Sequence, residues 1–225
     1  MQTPRILRHN AFGNILIVRH ADNLQREQYV HPCADIASDA FGAEMSAAFI
    51  QDVRGHLYNH HVAIVTAADT HDPIGFLSSN YFRLQRRGVL YISGLTVKQQ
   101  YQAKGYGTSL VHAVFADYGS HGNPVDYIAG RTQNPVIVAS RRRYCETVYP
   151  IDAEPTEEIV SIVHGLRKHL NMNGSFDAKT LVNHDTYESP LFAHRPSPRD
   201  SRIRTFFDEC VGPRDSVFII GTPKI

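Results

Sequence analysis

Residues 89–118 read VLYISGLTVKQQYQAKGYGTSLVHAVFADY, and they contain the most informative pattern in the chain. The run from Val89 to Val97 is rich in β-branched residues and predicts a strand. The segment from Thr108 to Tyr118 places apolar residues on one face of a predicted helix. Two glycines, at 105 and 107, lie between them. The sequence therefore predicts a strand that leads through a glycine turn into a helix.

The glycine turn has the composition of an anion-binding cradle. Gly105 and Gly107 have no Cβ, so the backbone can approach a ligand closely. The first turn of the following helix offers unpaired N–H groups and the positive end of the helix dipole. Lys98 and Lys104 add positive charge, and Thr108 adds a hydroxyl. These features predict a site for a phosphate or a pyrophosphate.

Two common nucleotide motifs do not fit this turn. A Walker P-loop requires a Lys-Ser/Thr pair, and none follows Gly107. A dinucleotide fingerprint requires a third small residue at position 110, which is Leu110. The anion is therefore expected to belong to a different kind of ligand.

The pattern before this stretch predicts an antiparallel meander. Short β-branched runs separated by turns are expected to form strands at residues 14–18, 62–67, 74–82 and 89–97. Apolar residues recur at helical intervals over 35–58, where Gly42 and Gly55 are expected to split or end the helices.

The pattern after this stretch predicts a mixed sheet. A strand at 125–130 follows the first helix, and a crossover helix makes its flanking strands parallel. Further elements are expected as helices at 136–145 and 156–170, an extended excursion at 183–204 and a last strand at 216–221.

The segment Gln102-Ala-Lys-Gly105-Tyr-Gly107 resembles the acetyl-CoA signature [R/Q]-x-x-G-x-[G/A] of the GNAT superfamily of N-acetyltransferases. Arg131-Thr-Gln-Asn134-Pro is similar to the family's asparagine after the next strand. The resemblance covers about residues 12–150. It implies an α/β, GNAT-like fold with a mixed sheet: an antiparallel meander followed by a β-α-β unit. We expect a single domain over residues 1–225, with a core at about 12–150 and a C-terminal extension at 151–225 that returns a closing strand near 216–221.

The resemblance also implies how acetyl-CoA, the co-substrate, is held. The backbone of Leu95 and Val97 would bind the pantetheine arm, and Asn134 would contact the same arm. Asn134 followed by Pro135 is equally a helix N-cap followed by proline at the first helical position, and both roles are compatible. The amides expected to hold the pyrophosphate are those of Gln102, Ala103, Lys104, Gly105, Tyr106, Gly107 and Thr108.

The acid that protonates the departing CoA thiolate is not at its usual place. Many family members carry a tyrosine seven residues after the asparagine, and this chain has Arg141 there. Tyr144 is a candidate acid if the helix register differs. A tyrosine at that position could equally pack into the core. Arg141 could instead stabilise the thiolate by its charge.

The base that accepts the proton of the amine has several candidates. The family often uses a glutamate on the strand before the turn, but Val89–Val97 contains no carboxylate. A water relayed by Tyr91 and Ser93 could serve. Asp39 and Glu44, from the region that usually walls the acceptor side, are the alternatives.

Two arginine clusters and one cysteine have alternative interpretations. Arg141-Arg142-Arg143 is either a solvated helix face or a contact for an acidic acceptor or a CoA phosphate. A second basic stretch comprises Arg195, Arg199, Arg202 and Arg204, on a predicted loop. Cys145 has no histidine nearby in sequence and is expected to be a buried small residue.

Composition bounds the remaining function classes. The 225 residues contain 42% hydrophobic residues, and 23 Lys+Arg against 22 Asp+Glu give a formal charge of +1. This balance argues against a nucleic-acid partner and a polybasic membrane anchor. Three dispersed cysteines and no long apolar run predict a cytoplasmic protein without a membrane partner. Thirteen histidines include no HExxH or Cys/His spacing, so no metal is expected.

The sequence therefore favours an N-acetyltransferase in which an amine attacks acetyl-CoA directly in a ternary complex. The acceptor is expected to be a primary amine of a small molecule, a peptide or a protein. A GNAT-like module that binds acyl-CoA for regulation without turnover is the alternative. The C-terminal third is expected to cover the acceptor cleft, extend the sheet or form a homodimer contact.

Overall fold

A computed structural model describes residues 5–9, 13–18, 23–190 and 195–224. Within those ranges the chain forms ten strands and six α-helices. The strands are β1 (Arg5–His9), β2 (Gly13–Val18), β3 (His61–Thr66), β4 (Pro73–Leu84), β5 (Arg87–Val97), β6 (Tyr127–Thr132), β7 (Cys145–Tyr149), β8 (Phe176–Asp177), β9 (Val182–Asn183) and β10 (Ser216–Pro223). The helices are α1 (Asn23–Phe41), α2 (Ala47–Asn59), α3 (Tyr106–Ser120), α4 (Pro135–Arg141), α5 (Glu157–His169) and α6 (Ser201–Cys210), and a 3-10 turn spans Gln99–Tyr101.

The described chain forms two compact units. The first contains the residues up to Asn80 and the segment Ile92–Asn123, and the second contains Tyr81–Tyr91 and the residues from Pro124 onward. Strands β4 and β5 are long enough to contribute to both units.

The first unit contains the predicted antiparallel meander. Strands β1 and β2 pair with Ile6 opposite Leu16, and β2 pairs with β3 so that Ile15 lies opposite Val65. Strand β3 then pairs with β4, again antiparallel. The meander predicted from the short β-branched runs is therefore confirmed.

Strand β3 is buried because helices cover both of its faces. Val62 and Ile64 pack into a cluster formed by the apolar faces of α1 and α2. His61, one residue out of phase, points to the opposite face, where its ring lies 4.8 Å from the Tyr118 ring of α3. The alternation of side chains along a strand produces this division.

Two predictions for the helical region were wrong. Helix α1 begins at Asn23, before the predicted start at residue 35, and it includes Pro32, a residue that normally interrupts helices. Gly55 lies inside α2 and does not end it, because Val53 and Leu57 on either side are buried in the core. Gly42 does follow the last residue of α1, with φ 63°.

The second unit is organised around β10, the last strand in the sequence. Strand β10 pairs antiparallel with β6 on one edge and with both β7 and β9 on the other. Phe218, Ile219 and Ile220 are fully buried in its centre. The order of neighbouring strands also places β5 beside β6, and α3 joins these two strands in the sequence. The predicted β-α-β unit is confirmed.

Two elements of the second unit differ from the sequence prediction. Helix α4 ends at Arg141, and the next residues turn into β7, where a helix was predicted as far as Cys145. The pairing of β7 with β10 explains the early end. The region expected to be an extended excursion also contains α6, which Asp200 caps and which buries Ile203 and Phe207.

Candidate active site

The turn between β5 and α3 is tied to the first unit by two hydrogen bonds. The Gln102 side chain folds back, and its Nε2 donates to the Val97 carbonyl over 2.9 Å. The Gln99 N–H donates to the Asp39 carboxylate over 2.6 Å. The turn therefore has a fixed position relative to both β5 and the end of α1.

Two residues of the turn adopt a left-handed backbone conformation. Ala103 has φ 60° and Gly105 has φ 96°. Turns that include such residues point neighbouring N–H groups towards one side and form a concave anion site. The conformation costs alanine about 1–2 kcal/mol, whereas glycine adopts it freely. Gly105 is therefore the residue that this turn requires.

Helix α3 begins without a side-chain cap. Its N-cap is Gly105, and the first helical bond recorded there runs from the Ser109 N–H to the Gly105 carbonyl at 3.0 Å. The N–H groups of residues 106–108 precede that bond at the positive end of the helix dipole. Other described helices have side-chain acceptors at the equivalent place, namely Ser46 of α2, Asn134 of α4, Thr156 of α5 and Asp200 of α6. The start of α3 has the features that bind phosphate groups.

Gly107 lies beside Leu95 without a close contact. A Cβ placed on Gly107 would lie 3.7 Å from the nearest Leu95 side-chain atom, which is an ordinary van der Waals contact. Protein packing alone therefore does not exclude a side chain at this position. Leu95 is half-buried, so part of its side chain is accessible beside the start of α3.

The residues of the turn include two lysines and no acidic residue, and the Asp39 carboxylate of α1 binds the turn at Gln99. Residues 98–108 include Lys98 and Lys104 but neither Asp nor Glu. The Lys104 ammonium lies 5.5 Å from the centre of the Tyr101 ring, and the Tyr101 and Tyr106 rings meet edge to face at 5.8 Å. An anion at this turn would meet amide donors and a nearby ammonium group.

The serine predicted as part of a proton relay is bound to the neighbouring strand. The Ser93 hydroxyl lies 2.9 Å from the hydroxyl of the fully buried Ser78, and it donates to the Ser78 carbonyl over 3.0 Å. This pairing fixes the Ser93 hydroxyl on β5. One of its lone pairs remains to accept a hydrogen bond from a water molecule.

Tyr91 belongs to the second unit and is 4% exposed. Burial raises the pKa of Tyr91 to about 12, although the nearby charges of Arg131 and Arg141 act in the opposite direction. Its hydroxyl is therefore protonated at neutral pH. It can donate a hydrogen bond but is a poor general base.

Asn134 has the cap role that the sequence allowed. Its Oδ1 accepts the Val136 N–H over 2.9 Å, and Pro135 opens the helix. Its own N–H donates to the Thr132 hydroxyl over 2.8 Å. Among the described residues no partner is recorded for its Nδ2, which leaves that atom to donate to a ligand.

Tyr144 lies in the turn after α4 and not on the helix. Its N–H donates to the Arg141 carbonyl over 3.1 Å, and the side chain is 2% exposed. Burial raises the pKa of Tyr144, so its hydroxyl is a proton donor and not a base at neutral pH. The core packing that the sequence left open is thus observed for this side chain.

The three consecutive arginines have different environments. Arg142 forms ion pairs with Asp152, at 2.5 Å, and with Asp200. Arg143 is exposed. Arg141 is 2% exposed, and its Nε and Nη1 have no hydrogen-bond partner among the described residues. A solvated helix face therefore describes only Arg143.

The remaining predicted groups have structural partners or lie in solvent. Asp39 binds Gln99 twice, because the Gln99 Nε2 also donates to the Asp39 carbonyl over 2.6 Å. Glu44 is exposed. In the second basic stretch, Arg195 donates to the Phe207 and Val211 carbonyls at the end of α6. Burial raises the pKa of the Cys145 thiol to about 11, as expected for an unreactive buried cysteine.

The structure assigns the predicted residues to two groups. The first unit contains Ser93, Leu95, Val97 and the turn at 102–108, and the second unit contains Tyr91, Asn134 and Tyr144. The burial of Arg141 could not be predicted from the sequence. The sequence also indicated no role for Arg131 beyond its place in the motif. The three consecutive arginines look alike in the sequence, and only the fold shows that Arg141 is the buried one.

The described residues offer no metal site and no helix that spans a membrane. No cluster of three or more His, Cys, Asp or Glu side chains there could hold a metal ion. None of the helices in the described ranges is long and apolar enough to cross a membrane.

A family model matches the part of the chain that contains this turn. The model described as "Acetyltransferase (GNAT) family" matches residues 21–137, which include β3 to β6 and the turn before α3. No match was found among curated proteins.

Solved structures with a similar chain path include several acetyltransferases. An aminoglycoside acetyltransferase from an uncultured soil metagenomic sample is 15% identical, with a TM-score of 0.45 over 60% of this chain and 88% of its own. GCN5 from Tetrahymena is 14% identical, with a TM-score of 0.42 over 59% and 76%. The aminoglycoside N-acetyltransferase AAC(6')-Iy, solved with CoA, is 15% identical, with a TM-score of 0.42 over 63% and 86%.

Proposed function

Because the chain belongs to the GNAT acetyltransferase family, we propose that it transfers the acetyl group of acetyl-CoA to a primary amine. The observation that carries the proposal is the start of α3, where a left-handed Gly105 replaces a side-chain cap. Such a helix start binds phosphate through its amides and its dipole. The pyrophosphate of acetyl-CoA supplies that group.

The residues of the turn fit acetyl-CoA as a substrate. The amides of residues 102–108 would hold the pyrophosphate, with Lys98 and Lys104 adding positive charge. The backbone of Leu95 and Val97 would bind the pantetheine arm, as would the Asn134 Nδ2. Support for these roles comes from the family motif at Gln102–Gly107 and from the half-buried Leu95 beside Gly107.

The proposed reaction is a direct displacement at the thioester. The neutral amine nitrogen forms a bond to the acetyl carbonyl carbon, and the bond between that carbon and the CoA sulfur breaks. A base takes the amine proton, and an acid protonates the departing thiolate. Atoms balance without a further reactant, since the products are the amide and CoA.

The protonation states divide the candidate groups between these two tasks. Burial keeps Tyr91 and Tyr144 protonated at neutral pH, which suits the acid role. We assign the acid role to Tyr144 and a hydrogen-bonding role to Tyr91. Ser93 retains a lone pair for a water molecule that accepts the amine proton, in agreement with a relay along β5.

A second candidate function is a module that binds acyl-CoA without turnover. The absence of a carboxylate on β5 favours it, since many family members have their base there. The burial of Tyr144 also favours it, because a core side chain need not reach the substrate.

Calorimetry with acetyl-CoA and a thiol-release assay over a set of primary amines separate these functions. An acetyltransferase binds acetyl-CoA saturably and releases thiol with at least one amine. Binding without thiol release for any amine would favour the non-catalytic module. Failure to bind acetyl-CoA would overturn both.

A further inference from the structure

Arg141 is a buried cation without a described counterion. Its side chain is 2% exposed, and its Nε and Nη1 have no hydrogen-bond partner among the described residues. Removal of a guanidinium from water costs several kcal/mol unless an anion or a set of acceptors compensates. The contact recorded for its guanidinium is with the Tyr144 ring, at 5.8 Å.

A second guanidinium of the same unit also has no described carboxylate partner. Arg131, on β6, donates to the Met172 sulfur over 3.4 Å and lies 5.4 Å from the centre of the Tyr187 ring. A thioether is a weak acceptor, and neither contact neutralises the charge. In contrast, Arg142 has two carboxylate partners.

Tyr91 and Tyr144 lie beside the two cations. Strand β6, which contains Arg131, is the neighbour of β5, which contains Tyr91, and the Arg141 guanidinium lies against the Tyr144 ring. Both guanidinium charges also act on the Tyr91 hydroxyl. Tyr91 and Tyr144 are nearly fully buried. The surroundings therefore combine two positive charges, aromatic walls and phenolic O–H donors, and the described residues supply no carboxylate that pairs with either charge.

We propose that Arg141 and Arg131 form a binding site for a carboxylate, and that the acceptor amine carries this carboxylate. Guanidinium groups match the geometry of carboxylate oxygens and form strong charge-assisted hydrogen bonds with them. An aromatic, nearly dry site suits a monoanion better than a multiply charged phosphate, because desolvation costs rise with charge. The acceptor class is therefore an amino acid or another amine with a nearby carboxylate. This assignment rests on the proposed function.

A role for Arg141 in stabilising the CoA thiolate gives a different expectation. The thiolate forms with every acceptor, so loss of Arg141 would slow the reaction of all amines equally. A carboxylate site would instead change the preference between acceptors with and without that group. Acceptor selectivity therefore distinguishes the two roles.

The first test uses acetate as the probe and requires no acceptor. Thermal unfolding of the full chain is measured in acetate and in chloride at equal ionic strength, for the wild type, Arg141→Met, Arg131→Met and Arg143→Met. The exposed Arg143 provides the matched control on the same segment. We expect a saturable rise of about 2–4 °C in Tm for the wild type and Arg143→Met, as a ligand that binds the native state produces. Arg141→Met and Arg131→Met should not show this rise.

A purely structural Arg141 predicts other results. Methionine keeps much of the apolar stem of arginine and removes the buried charge, so Arg141→Met should unfold in chloride at or above the wild-type Tm. A large fall in Tm for this variant would contradict the proposal. The same response to acetate in all four proteins would also overturn it.

The second test compares amino acids with their carboxamides, which differ in charge and little in shape. For the acetylated amines, we expect kcat/KM to favour the acid over the amide by about 10–100-fold, as a charged hydrogen bond implies. The ratio should fall towards one in Arg141→Met. Equal loss for acids and amides would contradict the carboxylate site. Calorimetry with acetyl-CoA on the same samples keeps the two proposals separate, because retained binding leaves the family function in place when the carboxylate preference fails.

Discussion

The guanidinium of Arg141 lies 5.8 Å from the centre of the Tyr144 ring, and both side chains are 2% exposed. The turn after α4 produces this relationship, since the Tyr144 N–H donates to the Arg141 carbonyl. The pair joins a buried cation to a protonated phenol. Tyr144 is the proposed acid, and Arg141 is the proposed partner of the acceptor's carboxylate.

Replacement of Tyr144 by phenylalanine should reduce turnover without loss of substrate binding. A general acid contributes about 10²–10⁴-fold to a rate, so we expect Tyr144→Phe to lower kcat by at least about 100-fold. The dissociation constant of acetyl-CoA should change less than about twofold. Because burial raises the pKa of Tyr144, wild-type kcat should not fall between pH 7 and pH 9 through loss of this proton. Steady-state kinetics with Tyr91→Phe as the comparison provides the check, and an unchanged kcat in Tyr144→Phe would exclude the acid role.

Buried tyrosines should make the protein lose stability at high pH. The pKa of Tyr91 is raised by burial to about 12, against an unfolded value of 10.0. Between these values the unfolded chain loses the proton and the folded chain keeps it, so stability is present below pH 10 and falls as pH rises. At pH 11 the loss from one such group is about 1.4 kcal/mol. Urea unfolding at pH 8 and pH 11 should show a smaller loss in Tyr91→Phe by about that amount, and equal losses would contradict the raised pKa.

The contact between Asp39 and Gln99 should support the turn from outside it. Asp39→Ala removes the acceptor of the Gln99 N–H, which lies 2.6 Å away. We expect a loss of about 1 kcal/mol in the free energy of unfolding and several-fold weaker binding of acetyl-CoA. Asp35→Ala, an exposed position one turn earlier on α1, is the control and should change neither. Calorimetry that gives the same affinity for both variants would show that the turn does not depend on this contact.

Two single substitutions in the turn should differ in their effects on stability. Gly105→Ala forces alanine into φ 96° and should destabilise the fold by about 1–2 kcal/mol. Ala103→Gly relieves the same kind of strain at φ 60° but increases the entropy of the unfolded chain, so its stability should stay equal or rise by less than about 1 kcal/mol. Thermal unfolding of both variants measures these changes. A stable Gly105→Ala would contradict the left-handed turn.

The segment that contained both a strand and a helix start could be predicted well from the sequence. Val89–Val97 and Thr108–Tyr118 have clear periodicity, and the glycines between them can serve few other purposes. Periodicity predicted the ends of two helices poorly. Because Pro32 normally interrupts a helix, the first part of α1 was not predicted as helical, and the arginine run made α4 look longer than it is.

The candidate site was predicted in part, because a motif identifies residues but not their surroundings. The sequence indicated Gln102, Gly105, Gly107 and Asn134, and the structure adds the uncapped start of α3. Burial determines the protonation of Tyr91 and Tyr144, and burial depends on tertiary packing. The contact of Asp39 with Gln99 joins residues distant in sequence, and no local pattern indicates it.

Calorimetry of acetyl-CoA binding to Gly107→Glu is the most direct test of whether the start of α3 holds the pyrophosphate. A Cβ at Gly107 makes only ordinary van der Waals contact with Leu95, at 3.7 Å, and glutamate in the first turn of a helix is compatible with its dipole. Gly119→Glu makes the same change in charge in the last turn of α3, where a Cβ meets nothing within 4 Å. We expect that Gly107→Glu remains folded and loses measurable binding, while Gly119→Glu binds as the wild type does. Wild-type affinity in a folded Gly107→Glu variant would contradict it.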